Sequence, residues 1–185
     1  FYYFFIIIIK MRVFIAIDLP EEIKNKIVSY YKEIKGVHGK FVEKENLHIT
    51  LKFLGELQPN VVEKIKKELE NIKFSKFNIE IGGFGNFNNR VLWFGVKKGA
   101  NNLIMLKKEI DNVIKKFGFY EEDFYPHITV LRIKQILSRS DYNHTLEKLS
   151  SANIGEFIVE EFSLKQSILR YEGPLYLDIA RYKLI

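Results

Sequence analysis

The sequence predicts an α+β fold in which two similar lobes face a cleft. Strand-like apolar runs alternate with segments whose apolar residues recur at helical spacing. The tripeptide His-Ile-Thr occurs at residues 48–50 and again at 127–129, once in each half of the chain. Each copy lies in a strand-like run that follows a helix-like segment. Two related lobes explain this order better than a single doubly wound sheet does.

The first half of the chain predicts two strand regions and two helices. Residues 12–19 form a near-continuous apolar run, as in a strand that is covered on both faces. Pro20 opens a helix that Gly36 ends, and a second helix follows Pro59. Residues 40–57 form the strand region with the first His-Ile-Thr. The helical spacing is seen in Ile23, Ile27, Tyr30 and Ile34, and again in Val61, Ile65, Leu69 and Ile72.

The second half predicts one clear helix among several strands. This helix ends at Gly118 and carries its apolar face on Leu103, Leu106, Ile110, Val113 and Phe117. The predicted strands cover 77–84, 90–96, 125–133, 156–169 and 174–184. Residues 134–156 are polar and irregular, with one short helix expected near 145–150.

The N-terminal stretch "FYYFFIIIIK", residues 1–10, is expected to be an upstream extension of the native protein. Its apolar run is shorter than the roughly 20 residues that a membrane-spanning helix needs, and no basic region precedes it. Met11 then opens the stretch "MRVFIAIDLP". We therefore expect the native start at Met11 and a single domain over residues 11–185.

The composition narrows the classes of function. The 185 residues include 29 Lys and Arg against 23 Asp and Glu, a net charge of +6 that is compatible with an RNA partner without requiring one. Cysteine is absent, which excludes disulfides, zinc–thiolate sites and a thiolate nucleophile. A reducing cytoplasm is the simplest location for such a chain.

The two tripeptides supply matched imidazole and hydroxyl groups. Side chains alternate between the faces of a strand, so His48 shares a face with Thr50, and His127 shares one with Thr129. A hydroxyl can donate to a phosphate oxygen, and an imidazole can give or take a proton near neutral pH. Two histidines on opposite sides of a phosphorus atom could therefore serve as acid and base together.

The sequence gives weaker support to other kinds of site. Two histidines could bind zinc with a carboxylate and a water, but no third ligand stands out at a useful spacing. The chain lacks a Gly-x-Ser-x-Gly nucleophile elbow, and "GGFGNF" lacks the Lys-Ser/Thr end of a phosphate loop. Each histidine could also simply pack against the core.

The stretches "MRVFIAIDLP", "ENLHITLKFLGEL", "RVLWFGV", "FYPHITVLR" and "FSLKQSIL…GPLYLDIARY" together resemble the RNA 2′,3′-cyclic phosphodiesterases. These enzymes, also called 2′-5′ RNA ligases, belong to the 2H phosphoesterase superfamily. The resemblance runs in order from about residue 11 to residue 184. It implies a bilobal, pseudo-twofold fold of two antiparallel sheets around a central cleft, with helices outside, and neither a metal nor a nucleotide cofactor.

The resemblance also implies roles for individual residues. His127 would activate water as the base, and His48 would protonate the departing ribose 3′ oxygen as the acid. Thr50 and Thr129 would bind the phosphate. Arg132 matches a family arginine, but it is out of phase with the second motif and reaches the cleft only if the strand twists or bulges.

Two further residues are predicted to contribute to substrate binding from their own positions. Lys52 is in phase with His48 and Thr50 and is expected to add positive charge to the cleft. Phe14 is expected to stack on a terminal base, as aromatic side chains do with single-stranded RNA.

Three functions remain open on the sequence. The first is metal-independent hydrolysis of 2′,3′-cyclic phosphate ends of RNA, such as tRNA fragments, to 2′-phosphomonoesters, together with reversible 2′-5′ ligation. The second is a noncatalytic module that grips RNA ends. The third is a phosphodiesterase that acts on a small cyclic nucleotide or an ADP-ribose cyclic phosphate. None of them calls for a membrane or a protein partner.

Overall fold

A computed structural model describes residues 10–185. The prediction for the N-terminal extension concerns residues 1–10, of which all but Lys10 lie outside this range. The strands are β1 (Met11–Asp18), β2 (Val37–Phe41), β3 (His48–Leu57), β4 (Phe77–Phe87), β5 (Val91–Lys98), β6 (His127–Ile136), β7 (Asn153–Val159), β8 (Glu161–Ile168) and β9 (Leu175–Lys183). The α-helices are α1 (Glu21–Ser29), α2 (Pro59–Leu69), α3 (Ala100–Ile114) and α4 (Arg139–Leu149).

The strands form two antiparallel sheets, and each sheet contains one His-Ile-Thr strand. One sheet has the order β3-β1-β8-β9, and the other has the order β2-β6-β5-β4-β7. The predicted bilobal α+β fold is thereby confirmed. The lobes are not simple halves of the chain, because the first sheet combines strands from both ends of the sequence while the second takes its strands from between them.

The core is built from the inward faces of the sheets and the apolar faces of the helices. In β1, Val13, Ile15 and Ile17 are almost fully buried. Helix α2 contacts β1, α3 contacts β3 and β5, and α1 and α4 contact β7 and β4. Burial of this kind stabilises a fold by about 25 cal/mol for each Å² of apolar surface.

The prediction that residues 134–156 are largely irregular is wrong, although the short helix expected near 145–150 coincides with the end of a longer helix. Helix α4 spans eleven residues, and β7 begins three residues before the strand expected at 156. Only the end of α4 was expected, near 145–150, because the helix buries only Tyr142, Thr145 and Leu149 and its apolar periodicity is weak. Its start is marked instead by Ser138, whose hydroxyl accepts a hydrogen bond from the Asp141 amide.

Several predicted boundaries also differ from the structure. Helix α1 ends at Ser29 and is followed by a 3-10 turn, Tyr31–Glu33, before Gly36. Strand β2 lies partly ahead of the strand region predicted at 40–57, and the single run predicted at 156–169 is two strands separated at Glu160. Element ends depend on hydrogen bonding that apolar spacing does not report.

The two motif strands carry β-bulges at equivalent positions. The register of β3 against β1 shifts so that Leu51 has no partner, and the register of β6 against β5 shifts so that Val130 has none. Each unpaired residue is the third after the motif histidine. A bulge reverses the alternation of side chains beyond it, so Phe53 and Arg132 join the face of the motif residues.

Candidate active site

The first residues of β3 and β6 are the two motif histidines, and both rings are held by the chain just ahead of them. The Nδ1 atom of His48 lies 2.6 Å from the carbonyl oxygen of Asn46, and that of His127 lies 2.7 Å from the carbonyl oxygen of Tyr125. A carbonyl oxygen only accepts, so each Nδ1 carries the hydrogen. Each neutral ring therefore keeps its lone pair on Nε2, the nitrogen available for proton transfer.

The threonines lie on the same strand faces as the histidines, as predicted. The Thr50 hydroxyl lies 2.8 Å from Nε2 of His48 and donates to it, since that nitrogen has the lone pair. Thr129 pairs across the sheet with Trp93 and is partly exposed. The Thr50 hydroxyl is thus held beside an imidazole, and Thr129 lies two residues from His127 on the same face of a hydrogen-bonded strand.

Charged groups surround His48 on the neighbouring strands. Lys165 in β8 is buried and forms ion pairs with Asp18 at 2.9 Å and with Asp178 at 2.5 Å. Burial lowers the pKa of His48 to about 4, and the positive charges of Lys165 and His127 add to the lowering. The Asn46 carbonyl and the Asp18 carboxylate oppose it. These effects together hold His48 in its neutral form at pH 7.

His127 lies in a similar environment. Burial lowers the pKa of His127, the Tyr125 carbonyl opposes this, and the charge of Arg132 adds to the lowering. The same arginine opposes the burial that raises the pKa of Tyr176, a residue of the other sheet whose ring packs 5.4 Å from the ring of His48. The charge of Arg132 thus acts on both His127 and Tyr176, and the bulge at Val130 puts Arg132 on the face of the motif residues.

Aromatic rings line both sides of the site. Around His127 they are Phe87, Trp93 and Tyr125, with Phe87 in edge contact at 4.8 Å. Around His48 they are Phe14 and Tyr176. The prediction that Phe14 stacks on a base is wrong, because only 3% of its surface is exposed. Its ring packs against the ring of His48, with 5.2 Å between the two centroids. The aromatic side chain exposed beside it is Phe53, at 68%.

The prediction that Lys52 adds charge to the cleft is also wrong. Strand alternation put Lys52 in phase with His48, but the bulge at Leu51 turns it to the helix side. There it is 4% exposed and lies 3.4 Å from Asp111 of α3. The cation whose charge acts on His48 is instead Lys165, within the stretch "FSLKQSIL". Lys165 is buried in its strand, and the sequence alone does not show which lysines are buried.

Within residues 10–185, no group of three or more histidine, aspartate and glutamate side chains is arranged to hold a metal ion. None of the helices in that range is long and apolar enough to cross a membrane. What the site offers for chemistry is a pair of imidazoles, a pair of hydroxyls and one arginine.

Comparisons with known proteins show the family of this chain. A family model described as LigT like Phosphoesterase matches residues 17–93 and again residues 94–176. An RNA 2′,3′-cyclic phosphodiesterase of Archaeoglobus fulgidus is 41% identical over 175 residues, which cover 91% of this chain and 98% of that protein. One of Methanocaldococcus jannaschii is 38% identical over 172 residues, covering 90% of this chain and 96% of that protein. The solved structure of E. coli LigT complexed with 3′-AMP has a TM-score of 0.79 at 28% identity, covering 95% of this chain and 99% of that chain.

Proposed function

The chain belongs to the LigT-like phosphoesterase family, and from this premise we propose that it is an RNA 2′,3′-cyclic phosphodiesterase that opens the cyclic phosphate by two-histidine acid–base catalysis. The observation that supports this most strongly is the tautomer of the two rings. Each histidine donates to a main-chain carbonyl through Nδ1, so Nε2 is the atom that can exchange a proton; Nε2 of His48 accepts from the Thr50 hydroxyl, which turns to the phosphate when the substrate binds.

In the proposed reaction His127 is the base. Its Nε2 removes a proton from a water molecule, whose oxygen attacks the phosphorus atom opposite the 3′ oxygen. A lowered pKa keeps His127 neutral near pH 7, as a base must be. Arg132 and the hydroxyls of Thr50 and Thr129 bind the nonbridging oxygens, on which negative charge builds up in the transition state.

His48 is the acid of the same step. The bond between phosphorus and the 3′ oxygen breaks, and His48 Nε2 gives its proton to that oxygen, which leaves a 2′-phosphomonoester. A pKa of about 4 would leave His48 unprotonated at neutral pH, but the anionic phosphate raises this pKa on binding. The Asp18 carboxylate acts in the same direction.

The arrangement also supports 2′-5′ ligation. If the 5′-hydroxyl of a second RNA replaces water, the same proton transfers join the two ends through a 2′-5′ bond, and the reverse reaction cleaves it. We propose that hydrolysis and ligation share this one site, since the histidines exchange roles when the direction reverses.

The test is an incubation with an RNA oligonucleotide that ends in a 2′,3′-cyclic phosphate, in the presence of EDTA. We expect turnover to a 2′-phosphate end, lost in both His48→Ala and His127→Ala. A second reaction with an added 5′-hydroxyl RNA should yield a 2′-5′ linked product. Tight binding of the RNA end without turnover would instead identify a noncatalytic module, and a 3′-phosphate product would contradict the assigned leaving group.

A further inference from the structure

Lys52 occupies a position that the other lobe fills with a leucine. Both Lys52 and Leu131 follow the bulged residue of their motif strand, so the two positions correspond under the pseudo-twofold relation. Leu131 is 1% exposed and belongs to the hydrophobic core, whereas Lys52 is 4% exposed and charged. An apolar residue satisfies the fold at this position, so the fold alone does not account for a buried lysine.

The contacts of Lys52 reach the chain segment that leads to His127. Its Nζ atom donates to the carbonyl oxygen of Tyr120 at 2.6 Å and lies 2.6 Å from the carboxylate of Glu122. Both partners belong to residues 119–126, which form no regular structure and run directly into β6. Lys52, in the sheet of the first motif, thus holds the segment that enters the second motif.

A second lysine and one carboxylate complete the attachment. Lys107 of α3 donates to the Glu122 carbonyl at 2.9 Å, and its Nζ lies 2.5 Å from Oδ2 of Asp111. The other carboxylate oxygen of Asp111 receives no hydrogen bond within residues 10–185 and lies 3.4 Å from Lys52. The buried carboxylate is therefore shared between the two lysines, which keeps each cation paired.

The end of this segment sets the orientation of His127. The carbonyl of Tyr125 accepts the Nδ1 hydrogen of His127, and it lies three residues beyond the Glu122 carboxylate that Lys52 holds. We propose that Lys52, paired with Asp111, is a positioning residue that fixes residues 119–126 and thereby the tautomer and orientation of His127. The expected effect of Lys52 on turnover rests on the proposed function, whereas its effect on the tautomer and orientation of the His127 ring can be measured without activity.

The experiment compares Lys52→Leu and Glu122→Ala with wild type. Leucine is the residue at the equivalent position, and Glu122 has a side chain that is 62% exposed, so its removal leaves the core intact. Glu121→Ala is the matched control, because this neighbouring exposed carboxylate forms no ion pair among the described residues. Steady-state kinetics and the ¹⁵N spectrum of the His127 ring at pH 8 are measured for each protein.

We expect kcat to fall about 10²-fold in Lys52→Leu and about tenfold in Glu122→Ala, with KM unchanged, since a small misplacement of a catalytic group costs rate rather than binding. The ring spectrum should change from a single Nδ1–H tautomer to a mixture. Glu121→Ala should match wild type in both measurements.

Two outcomes would overturn the inference. One is a Glu122→Ala protein with the kcat of Glu121→Ala, and the other is a single unchanged His127 tautomer in Lys52→Leu and Glu122→Ala. If wild type itself shows no turnover, the proposed function fails, and the tautomer comparison alone decides the role of Lys52.

Discussion

At the scale of single residues, the proposed chemistry depends on the pKa values and the tautomers of two imidazoles. Both rings have a lowered pKa because they are buried, and both have Nδ1 occupied by a carbonyl two residues earlier in the chain. The sequence predicted which residues these are, because strand alternation places His48 with Thr50 and His127 with Thr129. It could not predict the shifts in pKa, which arise first from burial in the folded protein and then from charges on other strands, such as Lys165 and Asp18 beside His48.

The first prediction concerns the pH dependence of kcat/KM, which reports the free enzyme. Catalysis needs His127 neutral, which is lost as the pH falls through its lowered pKa. It also needs His48 protonated, which is lost as the pH rises past about 4. The optimum of kcat/KM should therefore lie below pH 6.5, the ordinary value for histidine. Bound phosphate raises both values, so the optimum of kcat should lie at higher pH.

The measurement is a pair of pH profiles on one cyclic-phosphate RNA. An optimum of kcat/KM at neutral or alkaline pH would show that the free histidines are not lowered as the structure indicates. Coincident optima for kcat/KM and kcat would show that the substrate phosphate does not raise the two pKa values.

The second prediction concerns the hydroxyl groups. Thr50→Val and Thr129→Val keep the shape of the side chain and remove the donor to the phosphate oxygens. We expect kcat to fall about 10²-fold in each, as when a donor to a developing oxyanion is lost. The control is Thr145→Val, because Thr145 accepts from the Lys35 amide in the interior and lies in α4.

That control should lose stability but keep its kcat once folded, since an unpaired buried amide costs about 1–3 kcal/mol. Urea denaturation and steady-state kinetics separate the two effects. Equal kcat in wild type and in both motif variants would mean that the hydroxyls do not touch the reacting phosphate.

At the scale of elements, the β-bulges decide which side chains face the substrate. Plain alternation from His48 assigns Lys52 to the cleft, and alternation from His127 assigns Arg132 to the opposite face. The bulges at Leu51 and Val130 reverse both assignments. A bulge depends on the register with the neighbouring strand, so local sequence does not reveal it. The sequence also indicated only the end of α4, because the polar surface of this helix leaves a weak apolar period.

The third prediction concerns the junction between α1 and α4. Gly36 has φ of 76°, and a Cβ atom there would lie 2.4 Å from the Tyr142 amide nitrogen and 2.5 Å from the Ser138 carbonyl oxygen. Gly118 is a matched control, because its φ is 88° and a Cβ atom there meets nothing within 4 Å. The two glycines thus share the cost of the left-handed conformation and differ only in contact with α4.

We expect Gly118→Ala to lower the free energy of unfolding by about 1–2 kcal/mol. Gly36→Ala should lower it by about 1–3 kcal/mol more, because main-chain atoms of α4 cannot move aside without loss of packing. Urea denaturation of both variants measures the difference. Equal losses would mean that α4 does not pack against Gly36 as described.

At the scale of the whole molecule, two antiparallel sheets each carry one His-Ile-Thr strand of the candidate active site. The sequence predicted this arrangement from the repeated tripeptide and from the order of strands and helices. It did not predict that the strands of the first sheet come from both ends of the chain. That pairing is long-range, and the alternation of strands and helices along a chain does not specify it.

The fourth prediction concerns the size of the substrate. With a net charge of +6, an RNA that extends beyond the cleft should gain binding from its phosphates, and this gain should weaken as salt rises. We expect kcat/KM for an RNA oligonucleotide to fall with added salt more steeply than kcat/KM for a nucleoside 2′,3′-cyclic phosphate. Identical salt slopes would favour a small cyclic phosphate as the substrate.

The central claim is that the lobes divide the chemistry, with the base on β6 and the acid on β3. The most direct test uses an RNA whose cyclic phosphate has sulfur in place of the 3′ bridging oxygen, because a thiolate leaves without a proton. On this substrate we expect His48→Ala to recover most of its lost kcat, while His127→Ala stays inactive. Recovery by His127→Ala instead would reverse the two roles, and recovery by neither would contradict acid catalysis at the leaving oxygen.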